Sequence, residues 1–319
     1  MTAGRRRTSA AARGTVLQEL LPGYPAREHW RLVPSTGQHY LDVGTGRPLL
    51  FLHGNATWSH AWRTLLPTLV PHARCLAPDL PGLGLSRHPA TPADPAHRHL
   101  HQLDHVDALY RHVVRDEGVT PTGWTFVVHG WGGPLDLARL LRNAGVISRL
   151  VVLDTIAFPW SDGHRLPFRL RRLRNHRPVA AAAHAADALA RATVRLGVTH
   201  RLGPAERRAC LLPHARRGSR RAITEFARAV PRGPADPARR LLAPPEESDD
   251  LARLPMLIGW GMRDPVFSAE VLTEWTRRHP HAVVHRFPRA GHLVMDDAGA
   301  ELGLRIRDFL LPEPVRGQR

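Results

Sequence analysis

Short aliphatic segments alternate with longer segments of helical pattern along the chain, and this alternation limits the possible folds more than any other feature. Eight segments are short, aliphatic or rich in β-branched residues, and they lie at residues 29–34, 40–43, 48–53, 73–78, 125–129, 150–153, 255–261 and 281–287. Strands that alternate with helices are typical of a mostly parallel sheet with helices on both faces. The sequence therefore predicts an α/β fold with a doubly wound sheet, closed by an amphipathic helix at residues 297–310.

The alternation stops between residues 159 and 245. This segment is rich in arginine, has no convincing strand, and is interrupted by proline and glycine. We expect it to form a helical cap that is inserted into a core made of residues 26–158 and 246–312. Residues 1–25 include a basic stretch without an apolar segment behind it, and we expect a disordered tail there.

The formal net charge of +17 comes from arginine alone, because the chain contains no lysine. These arginines are scattered and are not interleaved with aromatic residues, so no nucleic-acid partner is predicted. No apolar run reaches the ~18 residues of a membrane-spanning helix. The two cysteines, Cys75 and Cys210, lack metal-ligand spacing, which favours a reduced cytoplasmic protein without a metal or cofactor. The oligomeric state is left open.

A strand runs directly into a glycine-rich turn at residues 125–134, TFVVHGWGGP. A strand, a sharp turn and a helix form a nucleophile elbow, which exposes one side chain above the sheet. The exposed position here is Gly130. Glycine accepts the positive φ of such a turn, but it has no side-chain oxygen for covalent catalysis. The residue before it, His129, is expected to be buried in the sheet as a packing residue.

A second glycine turn, LHGNATW at residues 52–58, follows a buried strand and is expected to lie beside the elbow. Backbone N–H groups near Gly54, the Asn55 amide and the Trp131 indole N–H are donors that can stabilise an anion. Trp58 and Phe267 are aromatic residues near this predicted site. They favour an apolar or aromatic small-molecule substrate.

Two more polar residues follow buried strands at the same predicted edge of the sheet. Asp264 comes after the strand at 255–261, and His292 comes after the strand at 281–287. A carboxylate next to an imidazole fixes its tautomer and stabilises its protonated form, so the pair predicts a general base. Asp154 follows the strand at 150–153 and is a further candidate for the site.

Four segments carry a resemblance to a known family: HGNATWSHAWR, APDLPGLGLS, GMRDPVF and AGHLVMDD. Together they resemble the haloalkane dehalogenases and, more closely, the β-lactone decarboxylases of bacterial olefin synthesis. The resemblance covers residues 29–311 and implies an α/β-hydrolase fold with a helical cap.

The resemblance also implies roles for individual residues. Asn55 and Trp131 would stabilise an anion, Asp264 would be the catalytic acid, and His292 would be the base. The nucleophilic aspartate of the family falls on Gly130. This departure puts dehalogenation, epoxide hydrolysis through an ester intermediate, and β-lactone opening in doubt.

Three functions are compatible with these residues. The leading hypothesis is an enzyme of bacterial natural-product biosynthesis that uses His292 and Asp264 as a general base on an acidic or aromatic substrate. Within it, a cofactor-independent oxygenase that uses O₂ is favoured over an enzyme that forms C–C bonds or rings. The second is a hydrolase that directs water at an epoxide, β-lactone or ester. The third is a non-catalytic ligand-binding protein, and Gly130 could also be an inactivating substitution.

Overall fold

A computed structural model describes residues 17–87, 95–130, 145–156, 158, 172, 175–176, 178–179, 181–182, 187–215, 217–229 and 253–311. Eight strands in this part of the chain form one sheet. They are β1 (Trp30–Val33), β2 (Gln38–Val43), β3 (Pro48–Leu52), β4 (Arg74–Pro78), β5 (Trp124–Gly130), β6 (Ile147–Thr155), β7 (Met256–Gly261) and β8 (Val283–Phe287).

The strand order in the sheet is β1-β2-β4-β3-β5-β6-β7-β8. Strand β2 pairs in antiparallel fashion with both β1 and β4, whereas every pair from β4 to β8 is parallel. The prediction of a mostly parallel α/β sheet is therefore confirmed. Because strands β3 to β8 run in one direction, the turns that follow β5, β6, β7 and β8 lie along the same edge of the sheet.

Helices cover both faces of the sheet. Those with described bounds are α1 (Leu66–Leu69), α2 (Pro95–Arg115), α3 (Ala188–Leu196), α4 (Pro204–Leu211), α5 (Arg217–Ala229), α6 (Ala269–Arg278), α7 (Val294–Asp297) and α8 (Gly299–Leu310). Short 3₁₀ helices lie at Arg27–His29, Ser59–Thr64 and Leu212–Ala215. In this described part of the chain, no helix has the length and apolar character needed to cross a bilayer.

Successive residues of a strand point to opposite faces, and this divides the apolar core into two layers. Phe126 and Val128 of β5 pack in the layer that contains residues of α2 and α6. Val127 of the same strand packs in the layer that contains residues of α1 and α8. Both layers are closed to solvent, so the central strands are buried on both sides and hold their carboxyl ends rigidly.

Several predicted boundaries differ from the structure. Strand β5 extends to Gly130, and β6 extends to Thr155, so that Asp154 lies inside a strand rather than after it. Helix α2 begins at Pro95, a residue type that suits the first turn of a helix. The closing helix is two helices, α7 and α8, which are separated at Ala298, where φ is −133° and is not helical.

The expectation of a disordered tail through residue 25 is wrong for residues 17–25. Leu21 and Tyr24 are buried, and the Tyr24 hydroxyl lies 2.6 Å from the Ser59 hydroxyl. The buried Leu21 side chain and the contact of the Tyr24 hydroxyl with Ser59 thus hold this segment against the core. Residues 1–16 lie outside the described part. The division into core and cap at residues 159 and 245 stays a prediction, and the described helices between those residues are α3, α4 and α5.

Candidate active site

His292 and Asp264 meet at the carboxyl-terminal edge of the sheet. Asp264 follows β7, and His292 lies in the turn between β8 and α7. The His292 Nδ1 is 2.9 Å from the Asp264 Oδ2, and the Asp264 Oδ1 accepts a hydrogen bond from the Val266 N–H at 2.5 Å. The Asp264 side chain is fully buried, whereas the His292 side chain is 10% exposed. The carboxylate therefore orients the imidazole and leaves its Nε2 available to another group.

The Nε2 of His292 faces Gly130, the last residue of β5. Gly130 has a φ of +59°, the left-handed conformation that glycine adopts without strain. A Cβ atom added to Gly130 would lie 3.5 Å from the His292 Nε2 and 3.2 Å from the Gly54 Cα. The base thus points at the place that the Cβ atom of a residue other than glycine would take at position 130.

Gly54 packs directly against this strand end. A Cβ atom on Gly54 would lie 3.1 Å from the His129 Nδ1 and 3.3 Å from the Gly130 Cα. Only a residue without a side chain permits this approach of two backbones, which brings the turn after β3 beside the turn after β5.

The Asn55 side chain is held by α5. Its Nδ2 donates a hydrogen bond to the Ile223 carbonyl of α5 at 3.1 Å, and its Oδ1 accepts one from the Ala56 N–H at 2.9 Å. The structure therefore joins Asn55 to α5, and the role of Asn55 as an anion donor stays a prediction. Trp131, the predicted second donor, lies outside the described residues.

The two aromatic candidates lie in different places. Phe267 is fully buried, and its ring centroid is 5.7 Å from that of His292. Trp58 is also buried, but its indole stacks on His60 at 5.3 Å and contacts Tyr24 at 5.1 Å in one layer of the core. The Phe267 ring therefore lies beside the His292–Asp264 pair, whereas the ring contacts of Trp58 are with His60 and Tyr24.

Asp154 lies between the strand ends that carry Gly130 and Asp264. Its side chain is fully buried, and its Oδ1 accepts a hydrogen bond from the Gly261 N–H at 2.8 Å. Its Oδ2 has no hydrogen-bond partner among the described residues. Burial raises the pKa of Asp154 well above its usual value, and the nearby charge of Asp264 raises it further. Both effects favour the protonated, neutral form of the Asp154 carboxyl group.

His129 has a contact that the sequence did not reveal. This fully buried residue precedes Gly130, and its Nε2 lies 2.7 Å from the backbone carbonyl oxygen of His292. Its position before the elbow was the available signal, but a buried histidine in a strand also satisfies the pattern of a packing residue. Burial lowers the pKa of His129 well below its usual value, so the ring is neutral.

This geometry suits proton transfer. A neutral imidazole that is held by a carboxylate can remove a proton from water or another weak acid and can return it to a leaving group. Among the described residues, no group of three or more histidine, cysteine, aspartate or glutamate side chains is arranged to hold a metal ion.

Comparison with known proteins places the chain in a family. A family model described as the alpha/beta hydrolase fold matches residues 47–298, which is most of the chain. The chain belongs to the α/β-hydrolase family. Its fold also agrees with that of the haloalkane dehalogenase DbeA from Bradyrhizobium elkani, at a TM-score of 0.74 and 25% identity, covering 88% of this chain and 96% of that one.

Two curated relatives of this α/β-hydrolase are enzymes. A protein of Xanthomonas campestris, named cis-3-alkyl-4-alkyloxetan-2-one decarboxylase, is 33% identical over 304 residues, which cover 92% of this chain and 99% of the relative. Haloalkane dehalogenase 2 of Mycobacterium bovis is 28% identical over 287 residues, which cover 89% of this chain and 94% of the relative. The resemblance to both groups is confirmed, and the relatives support an enzyme that acts on a small molecule.

The interpretation as a cofactor-independent oxygenase is wrong. The relatives of this α/β-hydrolase are named for decarboxylation and dehalogenation, and none of the comparisons supports O₂ as a substrate, an aromatic substrate or a role in natural-product biosynthesis. The prediction took the missing side chain at Gly130 as a sign of different chemistry. A base that faces an open position can instead direct water, so the hydrolase alternative fits better.

Proposed function

We propose that this chain is a hydrolase in which His292, oriented by Asp264, activates a water molecule beside Gly130 for direct attack on a strained cyclic ester. The observation that carries the proposal is the position of the His292 Nε2, 3.5 Å from the place where a Cβ atom of residue 130 would stand. A water molecule farther out along the direction of that Cβ would lie within reach of the base, and glycine has no side chain of its own in that direction.

The absence of an oxygen on residue 130 favours a mechanism without a covalent intermediate. The resemblance implies that the aspartate which attacks the substrate and forms a covalent ester in this family falls on residue 130. Gly130 has no atom that can do so, and a general base can activate water without such an intermediate. We therefore assign proton transfer to His292 and its orientation to Asp264, and we propose the turn at Gly54, with Asn55 and Trp131, as the region that receives the developing oxyanion.

The proposed substrate class is a β-lactone, a four-membered cyclic ester. The name of the Xanthomonas campestris relative, which is similar over 92% of this chain, specifies a dialkyl oxetan-2-one, which is such a ring. General-base catalysis contributes about 10²–10⁴-fold in rate, so an enzyme without a nucleophile needs a substrate that is already reactive. Ring strain supplies that reactivity, and Phe267 beside the base suits an apolar substituent.

The proposed reaction converts the lactone and one water into a 3-hydroxy carboxylic acid. The water oxygen forms a bond to the carbonyl carbon while His292 takes its proton. The bond between the carbonyl carbon and the ring oxygen then breaks, and the released alkoxide receives the proton from His292. No proton transfer is assigned to Asp154, whose side chain is fully buried.

Turnover of a cis-3,4-dialkyl oxetan-2-one in ¹⁸O-water tests this proposal. The expected product is the 3-hydroxy acid with one ¹⁸O in its carboxylate, and His292→Ala is expected to lose turnover because the base is gone. Release of CO₂ with an alkene would show instead that the chain shares the activity for which its relative is named. A covalent adduct on any residue, detected by mass spectrometry, would also contradict direct attack by water.

A methyl group at position 130 tests where the water lies. In Gly130→Ala the added Cβ would occupy the place that faces His292, so hydrolysis should fall by about 10²-fold or more, the loss that follows removal of general-base catalysis. Alanine at positive φ also costs about 1–2 kcal/mol of stability. Gly118→Ala is the matched control, because Gly118 has a similar φ of +65° and open space around its Cβ position. It should lose comparable stability and keep full activity. A Gly130→Ala protein with unchanged kcat would contradict the proposed position of the water.

A further inference from the structure

Both the side chain and the main chain of His292 are held by hydrogen-bond partners from neighbouring parts of the sheet. Asp264, after β7, receives the Nδ1 hydrogen of the imidazole. His129, on β5, contacts the carbonyl oxygen of the same residue at 2.7 Å. Strand β5 and the turn after β7, which lie on either side of β6, thus both hold His292. The turn after β7 contacts its ring, and β5 contacts its main chain.

The contact with His129 has a defined direction. A carbonyl oxygen can only accept a hydrogen bond, so the His129 Nε2 must carry the hydrogen. Burial lowers the pKa of His129 well below its usual value, the charge of His292 lowers it further, and the ring is neutral. A neutral imidazole with its hydrogen on Nε2 has an unprotonated Nδ1, and this atom has no partner among the described residues. Among the described residues, the His129 side chain makes one hydrogen bond, and that bond goes to the turn that carries His292.

Packing restrains the His129 ring. The ring is fully buried, its centroid lies 4.7 Å from that of His292, and the Trp62 ring meets it nearly at right angles, 6.3 Å away. On a third side, Gly54 is so close that a side chain there would lie 3.1 Å from the Nδ1. The ring cannot turn without displacing these neighbours, so the position of its Nε2 is set by β5 itself.

We propose that His129 is a positioning residue that holds His292 at the correct distance from Gly130. His129 and Gly130 are adjacent on one rigid strand. A hydrogen bond from His129 to the main chain of His292 therefore fixes the distance between His292 and Gly130, beside which the attacking water is proposed to lie. The inference rests on the proposed role of His292, and its test includes a measurement that needs no substrate.

The test compares two replacements of similar length in the full chain. His129→Gln keeps an amide N–H about where the Nε2 stands, whereas His129→Met fills the space without a donor. His129→Met should lower kcat on the β-lactone by up to about 10²-fold, the loss that a displacement of about 1 Å can cause. KM should change little, and His129→Gln should retain most of the activity. Thermal unfolding of both variants checks the fold. If His129→Met does not fold, His129→Asn, which is too short to reach the carbonyl, takes its place.

The second measurement is made without substrate. In protein labelled with ¹³Cε1-histidine, the His292 resonance is assigned by its loss in His292→Ala. Both replacements remove the His129 ring, which lies 4.7 Å from that of His292, so the two variants are compared with each other. We expect the resonance of His292 to differ between His129→Met and His129→Gln, because only glutamine keeps the donor to the His292 carbonyl. The same resonance position in both variants, with an unchanged kcat in His129→Met, would overturn the inference. If the wild-type chain hydrolyses no lactone but the two variants differ as expected, the proposed function fails and the positioning role stands.

Discussion

Asp154 shows how a single residue near the site differs from what its sequence position indicates. It has a φ of +39°, which is unusual for a residue with a side chain, and its carboxyl group is fully buried inside β6. Strain and burial of this kind are found where the surrounding structure, and not the residue's own preference, sets the conformation. The Gly261 N–H stabilises one oxygen of the carboxyl group, and the protonated form needs no further charge compensation.

The raised pKa of Asp154 predicts a specific dependence of stability on pH. The unfolded chain loses the Asp154 proton near pH 4, whereas the folded chain keeps it to higher pH. The folded state therefore binds more protons above that pH, and the contribution of Asp154 to stability falls as the pH rises, by about 1.4 kcal/mol per pH unit until the folded group ionises.

Asp154→Asn tests this dependence because asparagine resembles the neutral acid and tolerates a positive φ. Urea unfolding of the wild-type chain and the variant is compared between about pH 5 and about pH 8. The variant should become progressively more stable than the wild-type chain as the pH rises. A constant difference over this range would show that Asp154 ionises normally.

At the scale of elements, the turn that carries His292 is hydrogen-bonded to the residues that follow α3. The Leu293 N–H donates to the Gly197 carbonyl at 2.7 Å, and the Asp297 carboxylate accepts hydrogen bonds from the N–H groups of Thr199 and Gly291. Helix α7 is therefore held between the core and the end of α3. The position of the base depends on how these two parts pack as well as on β8.

The ion pair between Arg63 and Asp296 of α7 allows the effect of this packing to be tested. Arg63, in the 3₁₀ helix Ser59–Thr64, lies 2.6 Å from Asp296 of α7 and 3.4 Å from Glu206 of α4. The Asp296 side chain is 2% exposed, whereas the Glu206 side chain is 41% exposed. A buried charge that loses its partner is costly, and an exposed pair contributes little.

We expect Asp296→Asn to lower the free energy of unfolding by about 3 kcal/mol and to lower kcat, because the buried Arg63 charge loses its compensation next to the turn of His292. Glu206→Gln, which keeps an oxygen for the Gly203 N–H, should cost less than about 1 kcal/mol. Urea unfolding and steady-state kinetics of the two variants measure both effects. Equal losses from the two replacements would mean that burial does not determine the strength of these pairs.

At the scale of the whole molecule, the core buries several histidines in neutral form. Burial lowers the pKa of His60 to about 3 and that of His214 to about 4, and it also lowers the pKa of His53. His53 and His60 lie in and after the turn that follows β3, and His214 lies in the 3₁₀ helix Leu212–Ala215. In the folded chain, His60 and His214 accept protons only as the pH approaches these lowered pKa values. The stability of the chain in acid therefore depends on the packing that buries these rings.

The buried histidines predict a loss of stability in mild acid. Below about pH 6.5 the unfolded chain binds protons that folded His60 and His214 do not bind, so stability falls with decreasing pH, by about 1.4 kcal/mol per pH unit for each group. This slope ends for each group at its folded pKa. Its sign is opposite to that of Asp154, and each contribution is therefore read as a difference between a variant and the wild-type chain.

His60→Gln removes one of these groups. The slope of unfolding free energy against pH, measured by urea unfolding between about pH 4 and about pH 6, should be about 1.4 kcal/mol per pH unit smaller in the variant. His72→Gln serves as the control, since His72 is exposed to solvent in the folded chain. The same slope in His60→Gln and the wild-type chain would show that His60 accepts protons without unfolding.

The alternation of short and long segments was sufficient to predict the sheet because strand and helix periods are local properties. The strands were found to within a few residues, and the pairing of Asp264 with His292 followed from two strands that end at one edge. Boundaries were less accurate where packing overrides local preference. Strand β6 continues through Asp154, and Leu21 and Tyr24 are buried although they follow a basic stretch.

By itself, the sequence determined the fold class, the residues at the strand ends and the absence of a side-chain oxygen on residue 130, because these depend on residue type and order along the chain. Only the tertiary structure decided that the Nε2 of His292 faces Gly130 and that the Asn55 amide donates to α5. It also decided that His129 contacts the main chain of His292. These last contacts join residues that are more than 150 positions apart in the chain. Distances across such separations are set by packing, on which local sequence patterns carry no information.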